Sequence, residues 1–157
     1  MAENVIFRRD VPTTIERGLL VTFENTFFLP VREGTTPRSI TKVVEHPPAG
    51  LVFSGVQVVR SIDHKQETIE SGTAHVDKST GAVTVEAPEG GWAIPNWVGT
   101  DRLIMRFVYH VPLTTPLGAT GSSNSTFEMA GVDGIHGLKI ANHEIVELNP
   151  ENLLPFS

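Results

Sequence analysis

The chain has 157 residues, a net charge of −6 and no cysteine. Without cysteine it has neither disulfide bonds nor thiolate chemistry. Its basic residues are scattered through an acidic chain, which argues against a nucleic-acid partner. No apolar run approaches the ~20 residues of a membrane span.

The length fits a single domain, which we place over residues 1–157. The first residues, Met-Ala-Glu-Asn-Val, lack the basic and apolar regions of a signal peptide. Synthesis in the cytoplasm is therefore expected, and the compartment of action stays open.

Short apolar runs separated by glycine and proline dominate the first half of the chain. Residues 11–18 are predicted to be a turn, with room for one helical turn, and Asn25 is expected to break a strand. Gly55 inside a long run indicates a bulge or a close approach by another backbone. The predicted strands are 5–9, 19–24, 26–31, 39–45 and 51–61.

A β-hairpin is predicted over residues 67–87, from one strand at 67–77, a glycine-ended loop at 78–81 and a return strand at 82–87. Ala74, Val76, Val83 and Val85 alternate with polar residues and are expected to point inward.

The most regular pattern in the chain covers residues 102–111. Leu103, Met105, Phe107 and Tyr109 lie on one face of an extended strand, while Arg106 and His110 fall on the other. Pro112 ends the strand because it has no N–H for the ladder. We expect this strand to be central in a sheet, with its apolar face in the core.

Residues 112–126 are rich in glycine, serine and threonine and predict a mobile loop or an arm that orders on a neighbour. Three short closing strands are expected at 126–129, 138–141 and 143–148. Asn149 and Pro150 have the pattern of a helix start, which allows one or two turns through Leu153 and Leu154.

About ten short strands with little helix predict an all-β fold, a two-layer antiparallel sandwich or jelly roll. A closed β-barrel is the alternative. In a barrel, Arg106 and His110 would face the lumen and, with Tyr109, would be the first catalytic candidates. In a sandwich the first two would meet solvent, a carboxylate or another subunit, and Tyr109 would be a core aromatic whose hydroxyl reaches a backbone partner.

Trp92 and Trp97 flank Pro95 in a loop bounded by glycines. Loop aromatics are enriched at binding surfaces, so these two are ligand-binding candidates. The alternative is a plug that closes one end of the core.

His75 and Asp77 are two residues apart and share one face of a strand. His136 or His143 could complete a two-histidine, one-carboxylate metal site. A polar outer face of a hairpin explains the same residues, so neither a metal nor any other cofactor is expected.

With no phosphate-cradling loop and no nucleophile elbow, the sequence favours a non-enzymatic structural protein. We expect a β-sandwich that packs into a homo-oligomer or a larger protein assembly, virion- or tail-like. One alternative is a small barrel that binds an apolar ligand or catalyses an isomerisation or cyclisation. Another is a carbohydrate-binding module that uses a glycan-stacking tryptophan.

Overall fold

The structure, a computed structural model, describes residues 5–29, 37–95, 101–118 and 120–147. Every regular element in these ranges is a β-strand, and the strands form two sheets that pack as a sandwich. The predicted all-β sandwich is confirmed. None of the described residues belongs to a helix long and apolar enough to cross a membrane.

The first sheet has five strands, and each neighbouring pair is antiparallel. The strands are β1 (Ile6–Asp10), β3 (Leu20–Phe28), β5 (Val52–Ile62), β6 (Lys65–Ile69) and β10 (Arg102–His110). Their order is β1-β3-β10-β5-β6, so β10 is central, as its alternating pattern predicts.

The second sheet is formed by β2 (Thr14–Glu16), β4 (Ser39–His46), β7 (Thr73–Val76), β8 (Val83–Glu86), β9 (Trp92–Ala93), β11 (Thr120–Met129) and β12 (Val132–Val146). Its order is β2-β12-β11-β4-β8-β7, with β9 paired to β4. The β2–β12 pair is parallel and the others are antiparallel.

The core lies between the sheets and is rich in aromatic rings. Phe7, Phe27 and Phe127 form one ring cluster, with centroids 5.0 to 5.3 Å apart. Such ring pairs contribute about 0.5–1.5 kcal/mol each beyond the area they bury. The apolar face of β10 meets this core without solvent exposure, which confirms its predicted orientation (Leu103, Met105, Phe107 and Tyr109).

The bulge expected at Gly55 is present. Val108 pairs with Gly55, but the next residue, Tyr109, pairs with Phe53, so Ser54 is the extra residue. The extra residue belongs to β5, so the alternation of β10 is unbroken and Tyr109 points into the core as Phe107 does.

Two predictions for the first thirty residues are wrong. Asn25 does not break a strand: β3 runs continuously through it, and its side chain donates hydrogen bonds to Glu45 and Ser125 inside the core. The predicted turn at 11–18 contains strand β2, because Ile15 is buried when that segment pairs with the end of β12.

The segment predicted as one strand at 67–77 is divided between the two sheets. The chain leaves the first sheet after Ile69 and enters the second at Thr73. The β7–β8 hairpin and the burial of Val83 and Val85 are confirmed. Ala74 and Val76 are exposed, contrary to expectation, because β7 is an outer strand of its sheet.

The prediction of a mobile loop at 112–126 is also wrong for the second part of that range, since β11 begins at Thr120 and lies between β4 and β12. Alternate small polar residues of β11, Ser123 and Ser125, point into the interior and are bonded there. The three closing strands predicted from the sequence belong to two long strands, β11 and β12. The predicted helix start at Asn149 and Pro150 lies outside the described residues.

Candidate functional site

The three catalytic candidates of β10 are not brought together. Arg106 lies on the outer face of the first sheet, where its Nε is 3.1 Å from Glu24 Oε2 and its Nη1 donates to Gln57 Oε1 at 3.3 Å. His110 is exposed on the same face. Tyr109 points the opposite way, into the core. Arg106 therefore meets a carboxylate, as expected of a sandwich.

The hydroxyl of Tyr109 is buried and has no hydrogen-bond partner among the residues that the structure describes. Burial, with the nearby charge of Glu45, raises the pKa of this hydroxyl above its usual value. Tyr109 is therefore a core aromatic, although the expected backbone partner of its hydroxyl is not seen in the described part of the chain.

The metal candidates lie far apart. His75 is on β7 and His136 is on β12, four strand positions away in the same sheet, which corresponds to roughly 19 Å. Asp77 directly follows β7, at the start of the hairpin loop. Its Oδ1 accepts hydrogen bonds from the Ser79 hydroxyl and amide at 2.7 and 2.8 Å. These bonds lower the pKa of Asp77. Within the described ranges, no three histidine or acidic side chains are grouped to hold a metal ion.

Trp92 is only 2% exposed, and its indole Nε1 donates a 2.7 Å hydrogen bond to the carbonyl oxygen of Glu70. This ring is not free to stack on a ligand. Trp97 lies outside the described residues, so its proposed role stays a prediction.

A polar cluster is enclosed between the two sheets. Arg9 and Glu45 form an ion pair, and the amide of Asn25 donates to Glu45 Oε2 at 3.2 Å and to Ser125 Oγ at 2.9 Å. Burial raises the pKa of Glu45, and the charge of Arg9 opposes that effect. The guanidinium carbon of Arg9 also lies 5.4 Å from the centroid of the Phe23 ring. The cluster joins β1, β3, β4 and β11.

A second buried group is centred on His143 of β12. Its Nδ1 is 2.6 Å from the Pro12 carbonyl oxygen and its Nε2 is 2.6 Å from Ser123 Oγ. A carbonyl only accepts, so Nδ1 carries the proton and the Ser123 hydroxyl donates to Nε2. Burial lowers the pKa of His143, which favours this neutral form.

A hydroxyl bonded to an oriented imidazole is also the arrangement of a nucleophile and its base. His143 lines an open cleft of about 560 Å³ together with Thr13, Gly121, Ser122, Asn142 and Glu144. Ser123 does not line this cleft and has no exposed surface. The pair therefore ties β11 and β12 to the segment before β2 and presents no accessible nucleophile.

The most unusual surface is on β12. Ile135, Leu138 and Ile140 are 70, 61 and 65% exposed, although each is a large aliphatic residue. β2 pairs only with Glu144–Val146, so among the described strands nothing pairs with the preceding part of β12 on the side away from β11. We call residues 132–143 of this strand the apolar edge.

A groove of about 390 Å³ lies beside the apolar edge, between β12 and β1, the outer strand of the first sheet. Core residues form part of its wall, and Lys139 supplies a charge. We call it the edge groove, and its lining is Val5, Ile6, Phe7, Phe127, Gly137 and Lys139. Sequence reasoning missed this site, although it recognised a short strand at 138–141.

Comparison with known proteins identifies the fold. No protein-family model matches the chain, and no curated protein matches its sequence. Among solved structures, the N-terminal domain of the Streptococcus gordonii adhesin Sgo0707 has a TM-score of 0.56 at 17% identity, covering 91% of this chain and 32% of that chain.

Two pilins are also similar. A C-terminal fragment of the major pilin GBS80 of Streptococcus agalactiae gives a TM-score of 0.56 at 10% identity, over 90% of this chain and 56% of that chain. The T6 backbone pilin of Streptococcus pyogenes gives 0.52 at 12%, over 90% and 36%. This chain thus spans between a third and slightly more than half of these three chains. At these identities the likeness establishes a shared β-sandwich fold, one that also occurs in adhesins and pilins.

Proposed function

We propose that this protein is a non-enzymatic structural protein that assembles with copies of itself through the apolar edge of β12. The observation that supports this most is the exposure of Ile135, Leu138 and Ile140 on a strand whose edge away from β11 pairs with no described strand before Glu144. Burying a large aliphatic side chain is favourable by about 1.5–3 kcal/mol, so covering these residues would drive association.

The backbone of the same strand supports this proposal. Strands at the edge of a sheet present unpaired N–H and C=O groups, and these are a template for another chain. β12 carries few charges on this stretch, Asp133 and Lys139 before Glu144. A contact here therefore combines main-chain hydrogen bonds with apolar burial, and the similar solved structures include pilins, one of them named as a backbone pilin.

The interior supports a structural role in a second way. The two buried polar groups, around Glu45 and around His143, are bonded mainly to other parts of the fold. Ser123, the side chain best placed to act as a nucleophile, is fully buried. These groups align strands and sheets, and although His143 lines a cleft, its hydroxyl partner Ser123 is not accessible from it.

Mass measurement in solution tests the proposal. We expect the full chain to form a homo-oligomer or a larger particle, up to a virion- or tail-like array, and the double variant Ile135→Lys with Ile140→Lys to lose it. The matched control is Leu20→Lys with Val52→Lys, since these aliphatics are 64 and 53% exposed on the outer face of the first sheet. A monomeric wild type, or loss of assembly only in the control, would contradict the proposal.

A further inference from the structure

Two charged side chains of opposite sign lie on the apolar edge. Asp133 is three residues before His136 and Lys139 is three residues after it, and residues 132–143 contain no other acidic or basic side chain apart from histidine. Both are exposed, and neither forms an ion pair with another residue in the described part of the chain. An unpaired anion and an unpaired cation on one apolar surface are complementary to a second copy of that surface.

The register with β11 shows how the edge is spaced about His136. Three residues of β12 pair with alternate residues of β11, namely His136 with Phe127, Lys139 with Ser125 and Val132 with Met129. Lys139 and Val132 therefore lie two β11 residues, or about 7 Å, from His136 in opposite directions. Asp133 follows Val132 directly. A two-fold axis through His136, perpendicular to the sheet, brings Lys139 of one copy close to Asp133 of the other and makes this contact twice.

The shape of the edge has the same symmetry. Here β12 has three more residues than the stretch of β11 that it pairs with, and they form a bulge on each side of His136. Each bulge joins a glycine of positive φ to an exposed aliphatic residue, Gly134 with Ile135 and Gly137 with Leu138. The axis sets the first bulge of one copy against the second bulge of the other, so each aliphatic side chain faces a glycine. A Cβ on Gly134 would meet nothing within 4 Å, which leaves room for the opposing side chain.

β2 limits where a second copy can lie, because it covers β12 at Glu144–Val146. Glu144, the first residue of that contact, is seven β11 residues from the row of His136. The β11–β12 hairpin turns at residues 130–131, only three or four residues from that row in the other direction. With the axis at His136, β2 of each copy therefore lies beyond the hairpin of the other. An axis at Ile140 would instead place β2 against β12 of the other copy, so the pairing fits only towards the hairpin end of the edge.

We propose that two copies meet edge to edge about a two-fold axis at His136, with Asp133 of each copy paired to Lys139 of the other, an arrangement that rests on the proposed assembly function. The exposed aliphatic residues supply the affinity, and the two ion pairs fix the register. Such an isologous contact closes when two copies have met, so any larger particle is built from these pairs through another surface.

Exchange of the two charges in the full chain tests this arrangement. Asp133→Lys sets two lysines against each other at both ends of the contact, and Lys139→Asp does the same with two carboxylates. Each variant alone should associate about tenfold or more weakly than the wild type, because like charges then meet twice. An equimolar mixture of the two variants should recover the pair as a heterodimer, and the chain with both substitutions should recover it as a homodimer. Sedimentation at a series of concentrations measures the association.

The matched controls are Lys65→Asp and Glu67→Lys, which change the net charge by the same amounts. Both residues are exposed on β6, the outer strand at the far edge of the first sheet, and both variants should associate as the wild type does. Loss of association in these controls equal to that in the edge variants overturns the proposed register.

The wild type should contain an even number of chains, two at the least. An oligomeric wild type whose association is unchanged in both single variants overturns the two-fold arrangement and leaves the assembly function standing. The same holds for association that is lost in the single variants without recovery in the mixture, and for an odd number of chains. A wild type that is monomeric at every concentration overturns both.

Discussion

Arg9 of β1 and Glu45 of β4 form an ion pair between the two sheets, with side chains only 2% and 0% exposed. Two buried charges are tolerated when each is paired and hydrogen-bonded. Glu45 has its second oxygen bonded to Asn25. The pair therefore connects the layers at a point where loss of either partner leaves an uncompensated charge in the core.

The first prediction concerns this pair. Arg9→Met should lower the free energy of unfolding by roughly 3–5 kcal/mol, because it leaves Glu45 buried without its cation. Urea denaturation measures the loss. The control is Arg106→Met, whose partner Glu24 is 32% exposed and whose removal should cost less than about 1 kcal/mol. Adding Glu45→Leu to Arg9→Met should recover stability. Equal losses of unfolding free energy in Arg9→Met and Arg106→Met would contradict the interpretation.

The second prediction concerns pH. His143 has a lowered pKa in the folded protein, chiefly because burial disfavours the charged ring. Its unfolded pKa is near 6.5, so just below that value the unfolded chain binds a proton that the folded chain does not. The contribution of His143 to stability is therefore present above pH 6.5 and is lost as the pH falls towards its folded pKa.

Denaturation curves at a series of pH values check this dependence. His143→Gln should give a flatter dependence of unfolding free energy on pH below 6.5 than the wild type. Taking the difference between the two proteins removes the opposite contribution of Glu45, whose raised pKa favours folding at lower pH. An identical slope in both proteins would show that His143 is not the titrating group.

Where apolar and polar residues alternate along a strand, the local sequence was sufficient to predict which side chains point inward, without knowledge of the neighbouring strands. The pattern of β10 and the inward Val83 and Val85 follow from a period of two, and the structure confirms them. Asn25 was misread because its partners Glu45 and Ser125 are 20 and 100 residues away in the chain. A polar residue resembles a strand breaker until those partners are known.

The candidate site was missed for a related reason. Whether a strand is at an edge depends on strand order, which a single sequence does not reveal. The apolar residues of β12 also fail to alternate strictly, because its pairing with β11 shifts twice near Phe127. The single-domain assignment and the roles given to Arg106, His110 and Trp97 stay predictions.

The third prediction tests the backbone beside the edge groove. Gly137 has φ +99°, and a Cβ there would lie 3.0 Å from ring atoms of both Phe7 and Phe127. Gly137→Ala should therefore destabilise the fold by about 2–5 kcal/mol, from left-handed strain and overpacking together. The control is Gly131→Ala, where φ is +72° but nothing lies within 4 Å, so strain alone should cost about 1–2 kcal/mol. Thermal or urea unfolding compares the two, and equal losses would mean that the rings move aside.

The last prediction separates the two tryptophans. Trp92→Phe removes the donor that satisfies the Glu70 carbonyl, so it should cost about 1–3 kcal/mol of stability. In a Trp97→Phe variant, the remaining tryptophan fluorescence should come from Trp92, and it should be blue-shifted and resistant to quenching by acrylamide because that ring is buried.

The two tryptophans also separate the assembly function from carbohydrate binding, which would depend on Trp97. If the protein is a structural protein, the wild type should give no signal on a glycan array. A signal that is lost in Trp97→Ala and kept in Trp92→Phe would instead favour the carbohydrate-binding alternative.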